Sequence, residues 1–167
     1  MKDKIIERAK ELLETGKIAG FLGLREWEGH VSPHLFTKAE ELSDLSLGDV
    51  EKPGDARYPL NQILIDLSRA YPEATFGVLV RGCDERGLIE LYKWNQLDRE
   101  RVIPVGLVCP EELARACSCA NPSPADPVAG ERTEPVASEG PVDAIDALSL
   151  AERFEYWMGH FERCVKC

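Results

Sequence analysis

One stretch constrains this chain more than any other. Thr75-Phe76-Gly77-Val78-Leu79-Val80 is an apolar run, Arg81-Gly82-Cys83 a tight turn, Asp84 to Gln96 a helical segment, and Val102 to Cys109 a second apolar run. Two strand-length apolar runs joined by a helix make a βαβ unit, with parallel strands and a right-handed crossover. Ile5, Ile6, Ala9, Leu12 and Leu13 recur with helical period between Lys2 and Thr15, and Gly16 offers a left-handed stop. Leu60, Ile63, Leu64 and Leu67 repeat that pattern behind Pro59, and Pro72 ends it. Ile18 to Phe36 reads as two short strands around a Glu28-Gly29 turn, with Pro33 suited to an edge. Lys38 to Pro53 reads as a polar connection in which Leu42, Leu45 and Leu47 allow one helical turn. The expected fold class is therefore α/β: a small mixed or parallel sheet with a βαβ unit and flanking helices.

Beyond Cys119 the composition changes. Five of the eleven prolines lie at 122, 124, 127, 135 and 141, and the acids at 126, 131, 134 and 139 face only Arg132. That is the composition of a stiff acidic linker. From Ala147 onward, Leu150, Ala151, Phe154, Trp157, Met158 and Phe161 recur every three or four residues and predict a further amphipathic helix, running into Cys164-Val165-Lys166-Cys167. The expected organisation is a cysteine-bearing α/β domain over 1–119, an acidic Pro-rich linker over 120–146, and a helix over 147–167 that leads into a truncated ferredoxin-like C-x-x-C.

Thirty acids against twenty bases leave a formal charge of −10. That balance excludes a general nucleic-acid binder and repels an anionic membrane. No stretch approaches the roughly 20 apolar residues of a membrane-spanning helix, and the charged start Met1-Lys2-Asp3-Lys4 is no signal-peptide core. A cytoplasmic protein is expected. Gly20-Phe21-Leu22-Gly23 lacks the spacing of a phosphate-binding loop, and no Ser/His/Asp arrangement can be assembled. His30 and His34 are four apart, but Ser32-Pro33 makes that segment extended, so they read as surface residues; His160 suits a helix C-terminus.

Six cysteines are many for an intracellular chain of this length, and a reducing compartment makes three structural disulfides a poor explanation. Cys83 and Cys109 fall at the carboxyl ends of the two parallel strands, where ligands gather in α/β sheets. Cys117 and Cys119 follow closely, making four candidate thiolates, the number that closes a 4Fe-4S cluster or a tetrahedral zinc site. Cys83 precedes a helix, and Arg81, Arg86 and Arg115 lie nearby in sequence, all of which favour thiolate. The intervening spacings of 25, 7 and 1 residues are not the paired knuckles of a zinc site and favour the cluster, with zinc as the alternative. A third reading makes Cys83 the nucleophile of a thiol enzyme. The simplest reading treats the cysteines as separate buried thiols. Cys164-x-x-Cys167 matches the start of a bacterial ferredoxin run, which implies a truncated module or ligands from a partner.

Val80-Arg81-Gly82-Cys83-Asp84-Glu85-Arg86-Gly87-Leu88-Ile89-Glu90-Leu91, then Val105-Gly106-Leu107-Val108-Cys109-Pro110, then the terminal Cys164-Val165-Lys166-Cys167, resemble iron-sulfur proteins related to the beta subunits of deazaflavin-coenzyme-reducing hydrogenase and formate dehydrogenase. The resemblance spans about residues 75–119 and the last four. It implies anaerobic electron transfer within a redox complex of protein subunits, Cys83, Cys109, Cys117 and Cys119 as ligands of one cluster, and Cys164 with Cys167 as first ligands of a ferredoxin-type pair. The chain departs from the family in having its ferredoxin cysteines after the βαβ region, and nothing in it matches a flavin-binding segment, so flavin and deazaflavin reduction are not implied.

Overall fold

The structure, a computed structural model, describes residues 1–52, 54–136 and 141–162. The chain divides into two compact units, 1–136 and 137–167. The first is an α/β sheet protein, in agreement with the expected fold class. Its elements are α1 (Lys2–Glu14), β1 (Gly20–Trp27), β2 (His30–Phe36), a 3-10 helix (Ala39–Asp44), β3 (Leu45–Ser46), α2 (Leu60–Ala70), β4 (Phe76–Val80), α3 (Gly82–Lys93), a 3-10 turn (Arg99–Arg101), β5 (Val102–Leu107), α4 (Glu111–Ala116) and β6 (Pro127–Ala129).

The sheet runs β2-β1-β4-β5-β6, with β3 added to β1. The pairs β1–β4, β4–β5 and β5–β6 are parallel; β2 and β3 run antiparallel to β1. The predicted βαβ unit is its centre, with Val78 opposite Pro104 and Val80 opposite Gly106. All five residues of β4 are buried, as a doubly covered parallel strand requires. Helices α2 and α3 pack with β4, and α1 packs with β1, β5 and β6. Ile5, Ala9 and Leu12 of α1 and Phe21, Leu64 and Val78 are fully enclosed, each such side chain of Leu, Ile, Val or Phe contributing about 1.5–3 kcal/mol.

Local signals account for the boundaries. Gly16, at φ 66, ends α1; its N–H donates to the Leu13 carbonyl and that of Lys17 to the Leu12 carbonyl, both at 3.0 Å, the two bonds of a Schellman end. Glu28 and Gly29 both take positive φ, 51 and 78, the pair that a two-residue hairpin of this hand demands. Pro33 sits on the edge strand, opposite Leu24. His34 lies edge-on to Phe36 at 4.8 Å between ring centres, as a packed strand residue.

One expectation needs correction. The segment 120–136, anticipated as the first part of a linker, belongs to the first unit, and Val128 and Ala129 supply its sixth strand. Its prolines shape a buried turn instead of a free spacer: Pro122, Ser123 and Pro124 are all buried. The turn passes so close to the sheet that a Cβ on Gly82 would stand 2.3 Å from the Asn121 carbonyl oxygen, and one on Gly106 would stand 2.6 Å from that of Asp126.

The second unit holds α5 (Pro141–Asp146) and α6 (Leu150–Glu162). Ser149 caps α6: its N–H donates to the Glu152 carboxylate at 2.9 Å and its Oγ accepts the Glu152 N–H at 3.4 Å, a capping box. Leu150, Phe154, Trp157 and Phe161 are exposed. Cys164 and Cys167 lie outside the described residues.

Candidate functional site: a thiol pocket at the strand ends

Parallel strands deliver their carboxyl ends to one rim of the sheet, so the turns that follow them meet there. After β4 come Arg81 and α3, of which Cys83 is the second residue. It lies in the first helical turn, whose backbone N–H groups have no intrahelical acceptor. Asp84 secures that start by accepting the Arg81 N–H at 2.9 Å. After β5 comes the buried Cys109, pinned through its backbone: its N–H donates to the Pro122 carbonyl at 3.0 Å, and its carbonyl accepts from Thr133 Oγ1 at 2.7 Å.

The other two thiols come from the end of α4. Ser118 takes φ 46; its N–H donates to the Arg115 carbonyl at 3.0 Å, and that of Cys119 donates to the Ala114 carbonyl at 2.9 Å. This Schellman turn sets the exposed Cys117 and the half-buried Cys119 around the same space. A cavity of about 370 Å³ results, lined by Cys83, Cys109, Cys117 and Cys119, with the buried Leu113 and Ala114 in its wall. Cys83 and Cys109, expected together at the strand ends, and Cys117 and Cys119, expected close behind them in sequence, all line this one pocket.

Two guanidiniums address the sulfurs. Arg57 donates from Nη2 to Cys83 Sγ at 3.0 Å and from Nη1 to Cys117 Sγ at 3.6 Å. Arg81, 7% exposed, donates from Nη1 to Cys109 Sγ at 3.8 Å and from Nη2 to the Leu47 carbonyl at 2.9 Å. Asp49 Oδ1 stands 3.8 Å from the same Nη2, so this buried cation has both a hydrogen-bond acceptor and a countercharge. Burial pushes the Cys109 thiol pKa up; Arg81 pulls the other way without overcoming it, and Cys83 and Cys119 add to the rise. For Arg57, burial works against the proton, but Cys83, Asp84 and Cys117 outweigh it and raise its pKa above the ordinary value.

Of the arginines singled out in the sequence, Arg81 reaches a sulfur, Arg86 lines the pocket, and Arg115 is ion-paired with Glu111. Arg57 was not foreseen. It lies 26 residues before Cys83, with no spacing rule to connect them; the turn-forming Gly54 and Asp55 ahead of it are the only local sign of an ordered loop. Among the described residues, no three His, Cys, Asp or Glu side chains are grouped as ligands of a single ion. No described helix is long and apolar enough to cross a membrane.

Fold and pocket define an α/β protein with a thiol-lined cavity at the carboxyl ends of its parallel strands, flanked by cations. No family model and no curated protein matches the chain. Among solved structures it is similar to a chain of the xenon-derivatised F420-reducing [NiFe] hydrogenase complex from Methanosarcina barkeri, with 18% identity and a TM-score of 0.46. The likeness covers 64% of this chain and 40% of that one. At those values it assigns neither activity nor cofactor.

Proposed function

We propose that this protein is an iron-sulfur electron-transfer module of a cytoplasmic oxidoreductase complex, with Cys83, Cys109, Cys117 and Cys119 as the thiolate ligands of one 4Fe-4S cluster. The observation that carries this reading is the convergence of four thiols, from α3, the end of β5 and the end of α4, on one pocket. The donor set fits such a group. The lining holds four soft sulfur donors and no carboxylate, and the arginines beside it suit a cofactor whose thiolate-ligated form is anionic.

When bound, the cluster supplies one-electron transfer. The chain's own residues would hold it: the buried Cys109 after β5, Cys83 from the first turn of α3, and Cys117 and Cys119 from the turn that ends α4. Cys164 and Cys167 are proposed as first ligands of a second, ferredoxin-type centre, and other subunits of a redox complex as electron donor and acceptor.

A second reading has an observation of its own. Cys83 lies in the first turn of α3 with Arg57 Nη2 3.0 Å from its sulfur, a placement that a thiol nucleophile could use. One experiment separates the two. The full chain and Cys117→Ser are purified without oxygen and analysed for iron, sulfide and zinc, with visible and electron paramagnetic resonance spectra. The cluster reading expects about four irons per chain in the parent and a bleached variant. Zinc without iron moves the protein to a zinc-stabilised docking module. A metal-free protein whose Cys83 alkylates selectively at neutral pH is the thiol enzyme.

A further inference from the structure

Residues 48–52 and 54–56, between Leu47 and Arg57, form a strap laid against the thiol pocket. It closes on itself where Ala56 N–H donates to the Gly48 carbonyl at 3.0 Å. Gly48, at φ 83, is required there, since a Cβ would stand 2.3 Å from the Ala56 carbonyl oxygen. Two carboxylates tie the interior: Asp55 accepts the N–H groups of Val50, Glu51 and Lys52 at 2.9, 2.8 and 3.1 Å, and Asp49 accepts that of Gly54 at 2.6 Å. The strap docks at two points. Arg81 holds the Leu47 carbonyl, and Gly54 lies against Leu113 so closely that a Cβ would meet its Cδ2 at 2.5 Å. The chain leaves the strap at Arg57, whose guanidinium spans Cys83 and Cys117, and Tyr58 then anchors on β2 by donating to the Val31 carbonyl at 2.8 Å. These ties set the backbone from which the exposed Arg57 side chain reaches the two sulfurs.

We propose that the strap is the charge-compensating arm of the pocket: it holds the Arg57 guanidinium across Cys83 and Cys117 so that the group bound there is favoured in its more reduced, more negative state. This rests on the iron-sulfur reading. Reduction adds one electron to a site whose thiolates and cluster are already anionic, so a cation fixed on two of the sulfurs stabilises the reduced form more than the oxidised one. Arg57 acts as a positioning residue through the ligands. Arginine suits this because one planar fork addresses two sulfurs, which a lysine ammonium does only as a point charge.

The test is a dithionite redox titration of the anaerobically purified, reconstituted full chain, comparing the parent with Arg57→Gln, Arg57→Lys, Asp55→Asn and Arg69→Gln, with iron and sulfide measured on every sample. Arg57→Gln is expected to keep its iron while the reduced-to-oxidised ratio at a fixed applied potential falls about tenfold, equivalent to about 59 mV for one electron. Arg57→Lys should recover most of that loss. Asp55→Asn, which frees the strap but keeps the arginine, should shift the ratio in the same direction. Arg69→Gln, which removes one positive charge at the far end of α2, should leave it unchanged. A loaded Arg57→Gln with the parent's ratio overturns the proposal, as does a shift equal to that of Arg69→Gln. Should Arg57→Gln fail to load, an unshifted Asp55→Asn overturns it. A parent chain without iron overturns the iron-sulfur reading itself, and the arm's role with it.

Discussion

Arg81 and Cys109, 28 residues apart in the chain, meet at 3.8 Å through Nη1 and Sγ, while the other amino group of the same guanidinium donates to the Leu47 carbonyl at 2.9 Å. One buried side chain therefore joins the thiol at the end of β5 to the start of the strap that carries Arg57. Removing its donors while keeping its length, as in Arg81→Met, leaves the Leu47 carbonyl without this partner and Asp49 without its countercharge. The cost expected is about 1 kcal/mol, that of one lost hydrogen bond at a part-buried carbonyl. Urea unfolding of the metal-free protein reads it as a lowered midpoint at unchanged slope; an unchanged midpoint would show that Arg81 contributes no net stability.

The Cys109 thiol gives the metal-free fold a pH dependence of known sign. Burial raises its pKa above the ordinary value of 9.0, so the folded state holds that proton more tightly than the unfolded chain. The resulting stability is fully present below about pH 9 and is lost as pH rises through the folded value. Burial also raises the pKa of Tyr92, which erodes stability in the same direction. Comparison with Cys109→Ala at matched pH isolates the thiol: the variant's midpoint should decline less between neutral and alkaline pH. Parallel declines would assign the effect to Tyr92 or elsewhere.

Gly82 links the fold to the pocket. With the Asn121 carbonyl 2.3 Å and the Ser123 carbonyl 3.0 Å from where a Cβ would sit, Gly82→Ala forces the 121–123 turn away from the first turn of α3. Overpacking against backbone costs about 1–3 kcal/mol. The displacement reaches the site because Pro122 holds the Cys109 N–H and Cys119 lies just upstream. The variant should unfold at lower urea and bind less iron per chain than the parent; full iron content at lowered stability would show that the thiols tolerate the shift.

How much of this was legible in the sequence follows from which forces leave a periodic trace. One-sided burial prints Ile5, Ala9 and Leu12, or Leu60 and Leu64, at helical spacing, and double-sided burial prints Phe76 to Val80 as a continuous run, so α1, α2 and the βαβ unit could be read directly. The strand-end rule then brought Cys83 and Cys109 together, and short tethers brought Cys117 and Cys119. β6 was hidden because Pro122, Pro124 and Pro127 carry the composition of a spacer while Val128 and Ala129 give only two apolar residues to mark a strand. The strap was hidden for a different reason. Its order comes from carboxylate-to-amide hydrogen bonds of Asp49 and Asp55, which have no period, and Arg57 reaches its sulfurs through tertiary docking of the strap, at Leu47 on Arg81 and at Gly54 on Leu113.

Asp55 offers a check on the strap that needs no cofactor. Its carboxylate accepts three consecutive N–H groups, those of Val50, Glu51 and Lys52, and these bonds hold its pKa down at about 2, against an ordinary 3.8. A lowered carboxyl pKa stabilises the fold above the unfolded value and is lost as pH falls through the folded one, so the strap should stay closed at neutral pH and open only between about pH 4 and pH 2. At neutral pH the amides of these residues should be protected from hydrogen exchange despite their exposed position, because local protection reports the closed hydrogen bond and not burial alone. Asp55→Asn supplies one weaker neutral acceptor oxygen in place of two charged ones, and should accelerate exchange at all three positions while leaving the amides of β4 protected. Fast exchange in the parent would mean that the strap is open in solution and that the Arg57 guanidinium is not held on Cys83 by it.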